Sequence, residues 1–387
     1  MPAGDAAPLR ILHVFRAPLG GLFRHVLDVA RGQIARGHEV GIFCDSTTGG
    51  QRTDEVLAEL GPSLGLGLHR VPMRRLPHWT DVTALAALAR VVRSTRPDVL
   101  HAHGSKGGLY ARLVPAGSRD RRPIRAYTPH GGSFNYKPGS LMHRAYMRTE
   151  GLLDRRTDVF LFESEYIKGR FEAYVGETER LVRVIRNGIA EAEFEPLERV
   201  PDPYDLLYLG ELREAKGVDT LIDAVAQLRR DHGLRLTLLA IGSGPSEAEL
   251  HQRTEAMGIW DSTTFSPPQP IRSALSRGRI MVIPSKAESL PYVILEAAAA
   301  AQPLVSTNVG GIPEIFGDQA DQLIPPSDVD ALAAAILAKV AEPESVRRAK
   351  AEALSRVVRE GFDIDEMVDQ GIAGYRSARA KRGINLP

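Results

Sequence analysis

Short runs rich in Val, Ile and Leu alternate with segments of helical period from the N-terminus onward, and after an interruption near the middle of the chain the alternation starts again. A hydrophobic period that switches from two to 3.6 and back is the mark of parallel strands joined by crossover helices, so the chain is α/β. Residues 11–15 read as the first strand, 22–36 as a helix with Val26, Leu27, Val29, Ala30 and Ile34 on its apolar side, and 39–44 as the next strand. Further strands are expected at 99–103, 124–128, 159–163 and 181–185. Residues 191–205 place Pro196, Pro201 and Pro203 among acidic residues and break both periods, which reads as a linker. Beyond it, strands at 206–210, 234–241 and 280–284 and a helix at 218–230 restart the pattern. With 387 residues, two domains of similar size are expected, because a single core stops growing well before that length.

Open parallel sheets bind ligands beyond the carboxyl ends of their strands, so two doubly wound domains facing a cleft would place functional residues just after strands. Within 284–298 the chain leaves a strand and enters a helix with two carboxylates, Glu288 and Glu296, eight residues apart. Ser289 is expected to cap that helix and Pro291 to fall in its first turn, leaving the amides of Tyr292 and Val293 to favour a phosphate. A carboxylate suits the hydroxyls of a sugar because it accepts from a diol. Upstream, residues 210–217 also link a strand to a helix and carry Arg213 and Lys216, while Gly242 opens a glycine-rich turn after the strand ending at 241.

In the first half, Gly20 and Gly21 follow the first strand without the Gly-x-Gly-x-x-Gly spacing of a nicotinamide enzyme. His101 and His103 close one strand and His130 follows another, with His25 one turn into the first helix. Asp328-Val-Asp330 and Asp363-Ile-Asp365 both precede helices, where Asp normally caps amides, so neither is read as a metal site. Cys44 is the single cysteine and lies in an apolar run, which excludes a disulfide framework and suggests buried packing. The first ten residues lack the apolar core of a secretion signal, and no apolar run approaches the roughly 20 residues needed to span a bilayer, so a cytoplasmic protein is expected. Through Arg186 there are 28 Lys and Arg against 18 Asp and Glu, and beyond it 21 against 30, so the halves differ sharply in sign. A basic half attracts anionic lipid, phosphorylated acceptors or nucleic acid, and sign alone does not choose among them.

Glu288 and Glu296 resemble the Glu-x7-Glu motif of family 4 retaining glycosyltransferases, and residues 210–217 resemble that family's Gly-Arg-Leu-x3-Lys-Gly motif. The resemblance runs through nearly the whole chain in order. It implies a GT-B fold of two Rossmann-like domains, here 1–190 on the acceptor side and 206–360 on the donor side, with 191–205 as linker and 361–387 as a helix returning to the first domain. It implies that Glu288 contacts the transferred sugar, that Glu296 contacts the nucleotide ribose, and that Lys216 holds the diphosphate. Two departures stand out: Glu211 replaces the motif's Arg, with Arg213 two residues on as its substitute, and Ser289-Leu290-Pro291 replaces Gly-Phe-Gly. Gly21, Gly242, Tyr292 and Val293 become further donor contacts, and His130, His103 and Ser164 contacts to sugar or acceptor.

The segment 131–138 and the Arg-rich helix 141–156 resemble those of exopolysaccharide mannosyltransferases acting on lipid-linked sugars. That implies a hexosyltransferase with GDP-mannose as the first expected donor and a UDP-sugar as the second, no cofactor and no metal. The acceptor is then a lipid-linked oligosaccharide or polysaccharide, reached at the inner face of the plasma membrane, with an anionic membrane surface as partner and no nucleic acid. A GT-B epimerase or phosphorylase, and a non-catalytic nucleotide-sugar-binding module, remain the alternatives.

Overall fold

The structure is a computed structural model that describes residues 7–117 and 122–383, so the ends of the expected segments 1–190 and 361–387 lie outside the described residues. The chain divides into two compact units: one runs to Gly188 and resumes at Ile364, the other is Ile189–Asp363. The expected linker 191–205 belongs to the second unit, where Phe194, Leu197 and Tyr204 pack against its core.

The first unit holds a seven-stranded parallel sheet, with strands β1 (Arg10–Phe15), β2 (Glu39–Asp45), β3 (Gly67–Val71), β4 (Val99–His103), β5 (Ile124–Thr128), β6 (Val159–Phe162) and β7 (Leu181–Val184). Their order is β3-β2-β1-β4-β5-β6-β7, with the doubly wound reversal between β1 and β4. Both faces are buried, as a parallel sheet requires. Leu12, Val14, Leu100, Ala102, Tyr127 and Phe160 face one core. Ile11, Val99, Ile124, Ala126 and Leu161 face the other, where Met367, Val368, Ile372 and Tyr375 of the last helix, Ile364–Lys381, complete it.

The second unit is a five-stranded parallel sheet of β8 (Tyr204–Leu209), β9 (Leu238–Ile241), β10 (Thr263–Ser266), β11 (Gly278–Ile283) and β12 (Leu304–Ser306), in the order β10-β9-β8-β11-β12. Alternate residues of β8, β9 and β11 pack against the helix Val218–His232 on one face and against Tyr292–Ala299 on the other. β3, β10 and β12 are absent from the sequence reading. Each lies at a sheet edge: β3 and β10 are short and largely half-buried, and β12 is buried but only three residues long, too few for alternation to stand out.

At the carboxyl ends of this second sheet the loops lock together through backbone. Gly217 has φ +68°, and a Cβ there would lie 2.0 Å from the carbonyl oxygen of Pro284. Gly310 has φ +63°, and its Cβ would lie 2.2 Å from the carbonyl oxygen of Glu288. The loop after β11 is thus clamped from both sides by residues that must be glycine. Gly217→Ala is expected to lose about 2–3 kcal/mol of stability, from left-handed strain and overpacking together. Gly169→Ala, in a helix with open space at the Cβ, should instead gain about 0.5–1 kcal/mol. Urea unfolding of the two variants checks this; equal midpoints would mean the clamp contributes nothing.

Candidate functional site

The candidates fall into two groups, one in each unit. In the second unit, β8 runs into a 3₁₀ turn, Glu214–Lys216, before the helix Val218–His232. That turn is tied to the loop after β11 by the Lys286 amide donating to the Ala215 carbonyl at 2.9 Å and by the Lys286–Asp219 ion pair at 2.6 Å. The result is a close pair: Lys216 Nζ lies 2.6 Å from Glu288 Oε1, and the Ser285 hydroxyl donates to the same oxygen at 2.7 Å. Glu288 is buried, and Thr307 fixes its partner loop by donating to the Ser285 carbonyl at 2.6 Å. The two residues that the sequence marks in separate motifs therefore meet.

Other parts of the donor reading change. The helix begins at Tyr292 with Pro291 as its extended N-cap, not at Ser289. Proline disfavours the helical region for the residue before it, so Leu290 cannot belong to the first turn. Ser289 instead offers its carbonyl to the Gly311 amide at 2.5 Å. Tyr292 and Val293 do open the helix, at its first two positions. Glu296 is half-buried, as is Val293, on a helix whose other residues are buried. Arg213 pairs with Glu211 at 2.9 Å, both exposed, so its guanidinium is engaged by the residue that replaces the motif's Arg. Gly242 follows β9 with its Cα against the Gly210 carbonyl. Asp328 caps its helix by accepting from the Ala331 amide, and Asp365 pairs with Arg36 at 2.9 Å.

In the first unit, β1 and β4 pair with His13 opposite His101, and the two-residue period puts His103 on the same face. These imidazoles form a buried hydrogen-bonded network with His130. His103 Nδ1 lies 3.1 Å from His130 Nε2, His103 Nε2 lies 3.0 Å from His13 Nδ1, and His13 Nε2 lies 2.9 Å from Gln33 Oε1. Gln33 Nε2 donates to the Tyr375 hydroxyl at 3.1 Å, which contacts His101 Nδ1 at 2.7 Å, and His101 Nε2 meets the Thr128 hydroxyl at 2.9 Å. His25 reaches Asn187 at 3.0 Å.

Gln33 is the pivot. Its carbonyl oxygen can only accept, so His13 carries its proton on Nε2, and the chain of acceptors then puts the protons of His103 and His130 on their Nε2 atoms too. Burial pushes His13 and His25 down to about 4 and holds His101, His103 and His130 well below the usual imidazole range. All five are neutral at physiological pH. His130 is the half-buried end of the network, and its φ of +55° is left-handed backbone that a non-glycine residue adopts only when its surroundings enforce it. His103 lies behind it, 1% exposed.

Gly21 is exposed at the start of the helix Gly20–Ala35. Ser164 is buried and caps the helix Glu165–Tyr174 by accepting from the Ile167 amide. Cys44 is buried, and burial pushes its thiol up to about 12, so it packs rather than reacts. The sequence reading misses His13, Gln33 and Tyr375. The signal for Gln33 is a polar residue on the apolar side of the first helix, between Ala30 and Ile34. Two sets of three imidazoles, His13, His101 and His103, and His25, His103 and His130, converge within 4.8 Å, a spacing a metal ion accepts, although His13, His101, His103 and His130 already hydrogen-bond to one another or to Gln33, Tyr375 and Thr128.

Two family models match the chain in succession: Glycosyltransferase Family 4 over residues 19–193 and Glycosyl transferases group 1 over residues 190–356. The chain is 29% identical over 402 aligned positions to a glycogen synthase of Mycobacterium tuberculosis, covering 95% of this chain and 93% of that one. It is 27% identical to a D-inositol 3-phosphate glycosyltransferase of Acidothermus cellulolyticus, covering 94% and 87%. The fold is similar to that of Anabaena HepE solved with UDP-glucose, with a TM-score of 0.77 at 18% identity over 95% of this chain and 100% of that one.

The buried imidazoles make stability depend on pH. In the unfolded chain they take up protons near pH 6.5, whereas folded His13 and His25 do so only near 4. Between those values the unfolded state holds more protons. Stability is therefore complete above about pH 6.5 and falls as pH drops toward about 4, at about 1.4 kcal/mol per pH unit for each such imidazole. Urea titrations from about pH 7.5 to about 4.5 should show this slope, reduced by one imidazole's share in His25→Gln. Identical slopes for wild type and variant would mean that His25 titrates normally.

Proposed function

The chain is a glycosyltransferase of the family 4 type with the GT-B fold, and on that premise we propose that it is a retaining, metal-independent hexosyltransferase. The observation that carries the reading is the Lys216–Glu288 pair. Among the described residues the Lys216 ammonium makes one ion pair, to Glu288 Oε1, so its remaining hydrogens can meet diphosphate oxygens. Glu288 keeps Oε2 for a hydroxyl of the transferred sugar, and Glu296 serves the ribose. As the anomeric carbon–oxygen bond to the diphosphate breaks, negative charge grows on the leaving oxygens, and Lys216 with the amides of Tyr292 and Val293 stabilises it. The acceptor hydroxyl attacks the anomeric carbon from the same face and its proton passes to the leaving phosphate oxygen, so no carboxylate base is needed. Neutral His130, basic at Nδ1, orients a sugar or acceptor hydroxyl, with His103 and Gln33 fixing its tautomer.

GDP-mannose is the first donor proposed. A UDP-sugar is the second reading, favoured by the fold's similarity to a protein solved with UDP-glucose. The acceptor proposed is a lipid-linked oligosaccharide or polysaccharide. The helix Leu141–Asp154 supports it: Leu141, Met142, Arg144, Arg148 and Leu152 are exposed, a mixture suited to an anionic membrane surface. Met147 of the same helix is buried in the core. Among the described residues no helix is long and apolar enough to cross a membrane.

A donor panel with product analysis tests the activity, since transfer or hydrolysis marks a transferase and an isomerised donor an epimerase. Lys216→Ala should weaken nucleotide-diphosphate binding and slow transfer by about 1.5–3 kcal/mol, some ten- to a hundredfold. Unchanged affinity and rate would remove Lys216 from the site. Activity is expected to survive exhaustive chelation. Loss that zinc, magnesium or manganese restores would instead turn attention to the imidazole sets. Flotation with anionic vesicles should fall with rising salt and drop in a Leu141→Ser, Arg144→Gln, Arg148→Gln, Leu152→Ser variant, each basic residue contributing about 1 kcal/mol. Equal flotation of variant and wild type would point to a soluble acceptor.

A further inference from the structure

A cavity of about 700 Å³ opens in the first unit at the amino ends of β5, β6 and β7. Its walls hold seven basic residues, Arg122, Arg125, Arg155, Arg156, Arg180, Lys381 and Arg382, against two acidic ones, Asp158 and Glu179. Part of this charge is answered: Asp158 takes both guanidinium nitrogens of Arg122 at 2.7 and 2.8 Å and has Arg382 at 3.6 Å, and Arg180 lies 3.4 Å from Asp154. Much is not. Among the described residues Arg125, Arg155 and Arg156 make no ion pair.

Arg125 is the informative member. It is 8% exposed, its Nη2 donates to the Val114 carbonyl at 2.8 Å, and its Nε is buried with no acceptor among the described residues. A buried guanidinium N–H without an acceptor is costly, and so is a cluster of like charges around it. Burial, and after it the charge of Arg122, pushes the Arg125 guanidinium down to about 10, so it stays charged at neutral pH. One ligand class offsets the clustered positive charge, a compact polyanion whose oxygens accept from the guanidinium forks that face the cavity.

We propose that this cavity is an anion site for a phosphate ester or diphosphate group, separate from the donor site and unconnected with transfer chemistry. It lies at the amino ends of the strands, whereas the imidazole network of the same unit lies toward their carboxyl ends at His103, Thr128 and His130. The ligand is therefore an anchor or effector, not a reactant. Two sources supply this chemistry, a free phosphorylated metabolite or the headgroup of an anionic lipid.

The test uses full-length protein carrying Lys216→Ala, so that the donor site's own hold on pyrophosphate is weakened, with and without Arg156→Gln and Arg180→Gln. Both of these residues are at least partly exposed, and thermal unfolding checks that the fold is intact. Titration calorimetry with inorganic pyrophosphate at low salt and flotation on phosphatidylglycerol vesicles are the two arms. A soluble ligand predicts one pyrophosphate site that the paired substitution weakens at least tenfold. A lipid headgroup predicts vesicle binding that the same substitution lowers at least tenfold and that pyrophosphate displaces. Absence of binding in both arms, or binding that the substitution leaves unchanged, would overturn the proposal.

Discussion

Loop 284–291 is held from both sides by backbone that comes too close for any side chain, with Gly217 against the Pro284 carbonyl and Gly310 against that of Glu288. This contact decides where Glu288 sits, and the turn that supplies Gly217 also supplies Lys216 one residue earlier. A carboxylate as buried as Glu288 is expensive to leave unpaired, so the Lys216 and Ser285 contacts to its Oε1 belong to the fold as much as to the chemistry. The loop is set before a ligand arrives, and preorganised charge of that kind needs no rearrangement at the moment of reaction.

The first unit meets the opposite requirement. Its sheet is covered on both faces, so a polar side chain pointing inward must find partners inside. His13, His101 and His103 do so through Gln33, Tyr375 and Thr128, and the direction of the whole chain follows from which end of the Gln33 amide faces His13. One residue remote from any substrate thereby sets the tautomer presented at His130. The last helix takes part through Tyr375, which is why a segment distant in sequence completes this network.

The fold class and most strands were legible because burial on both faces writes continuous apolar runs, and because the period changes sharply at each helix. The edge strands β3, β10 and β12 were not legible: β3 and β10 are short and largely half-buried, and β12, though buried, has only three residues, too few for a period. Lys216 and Glu288 were legible as separate motifs at strand ends, but no spacing in sequence announces a 2.6 Å contact across 72 residues. For Arg213 the sequence gives the residue and not its direction, and its exposed pair with Glu211 was not legible. His13 and Gln33 stayed hidden for a different reason. A single polar residue in an apolar element reads as a tolerated exception until its partner, here on another element, is known.

The charge asymmetry visible in the sequence turns out to concern surface and cavity walls, not the imidazole network. Arg122, Arg125, Arg155, Arg156, Arg180, Lys381 and Arg382 gather at the amino ends of strands, while His13, His25, His101, His103 and His130 contribute no charge. The separation has a chemical logic. An imidazolium offers two donors and no acceptor, so it can only compete for the lone pairs of a hydroxyl that is about to act as a nucleophile. A neutral imidazole with its proton fixed on Nε2 offers an acceptor at Nδ1, which holds the hydroxyl by its hydrogen and leaves the oxygen lone pairs free to attack. The role proposed for His130 needs both the burial that keeps it neutral and the Gln33 contact that fixes where its proton sits, and neither could be inferred from net charge.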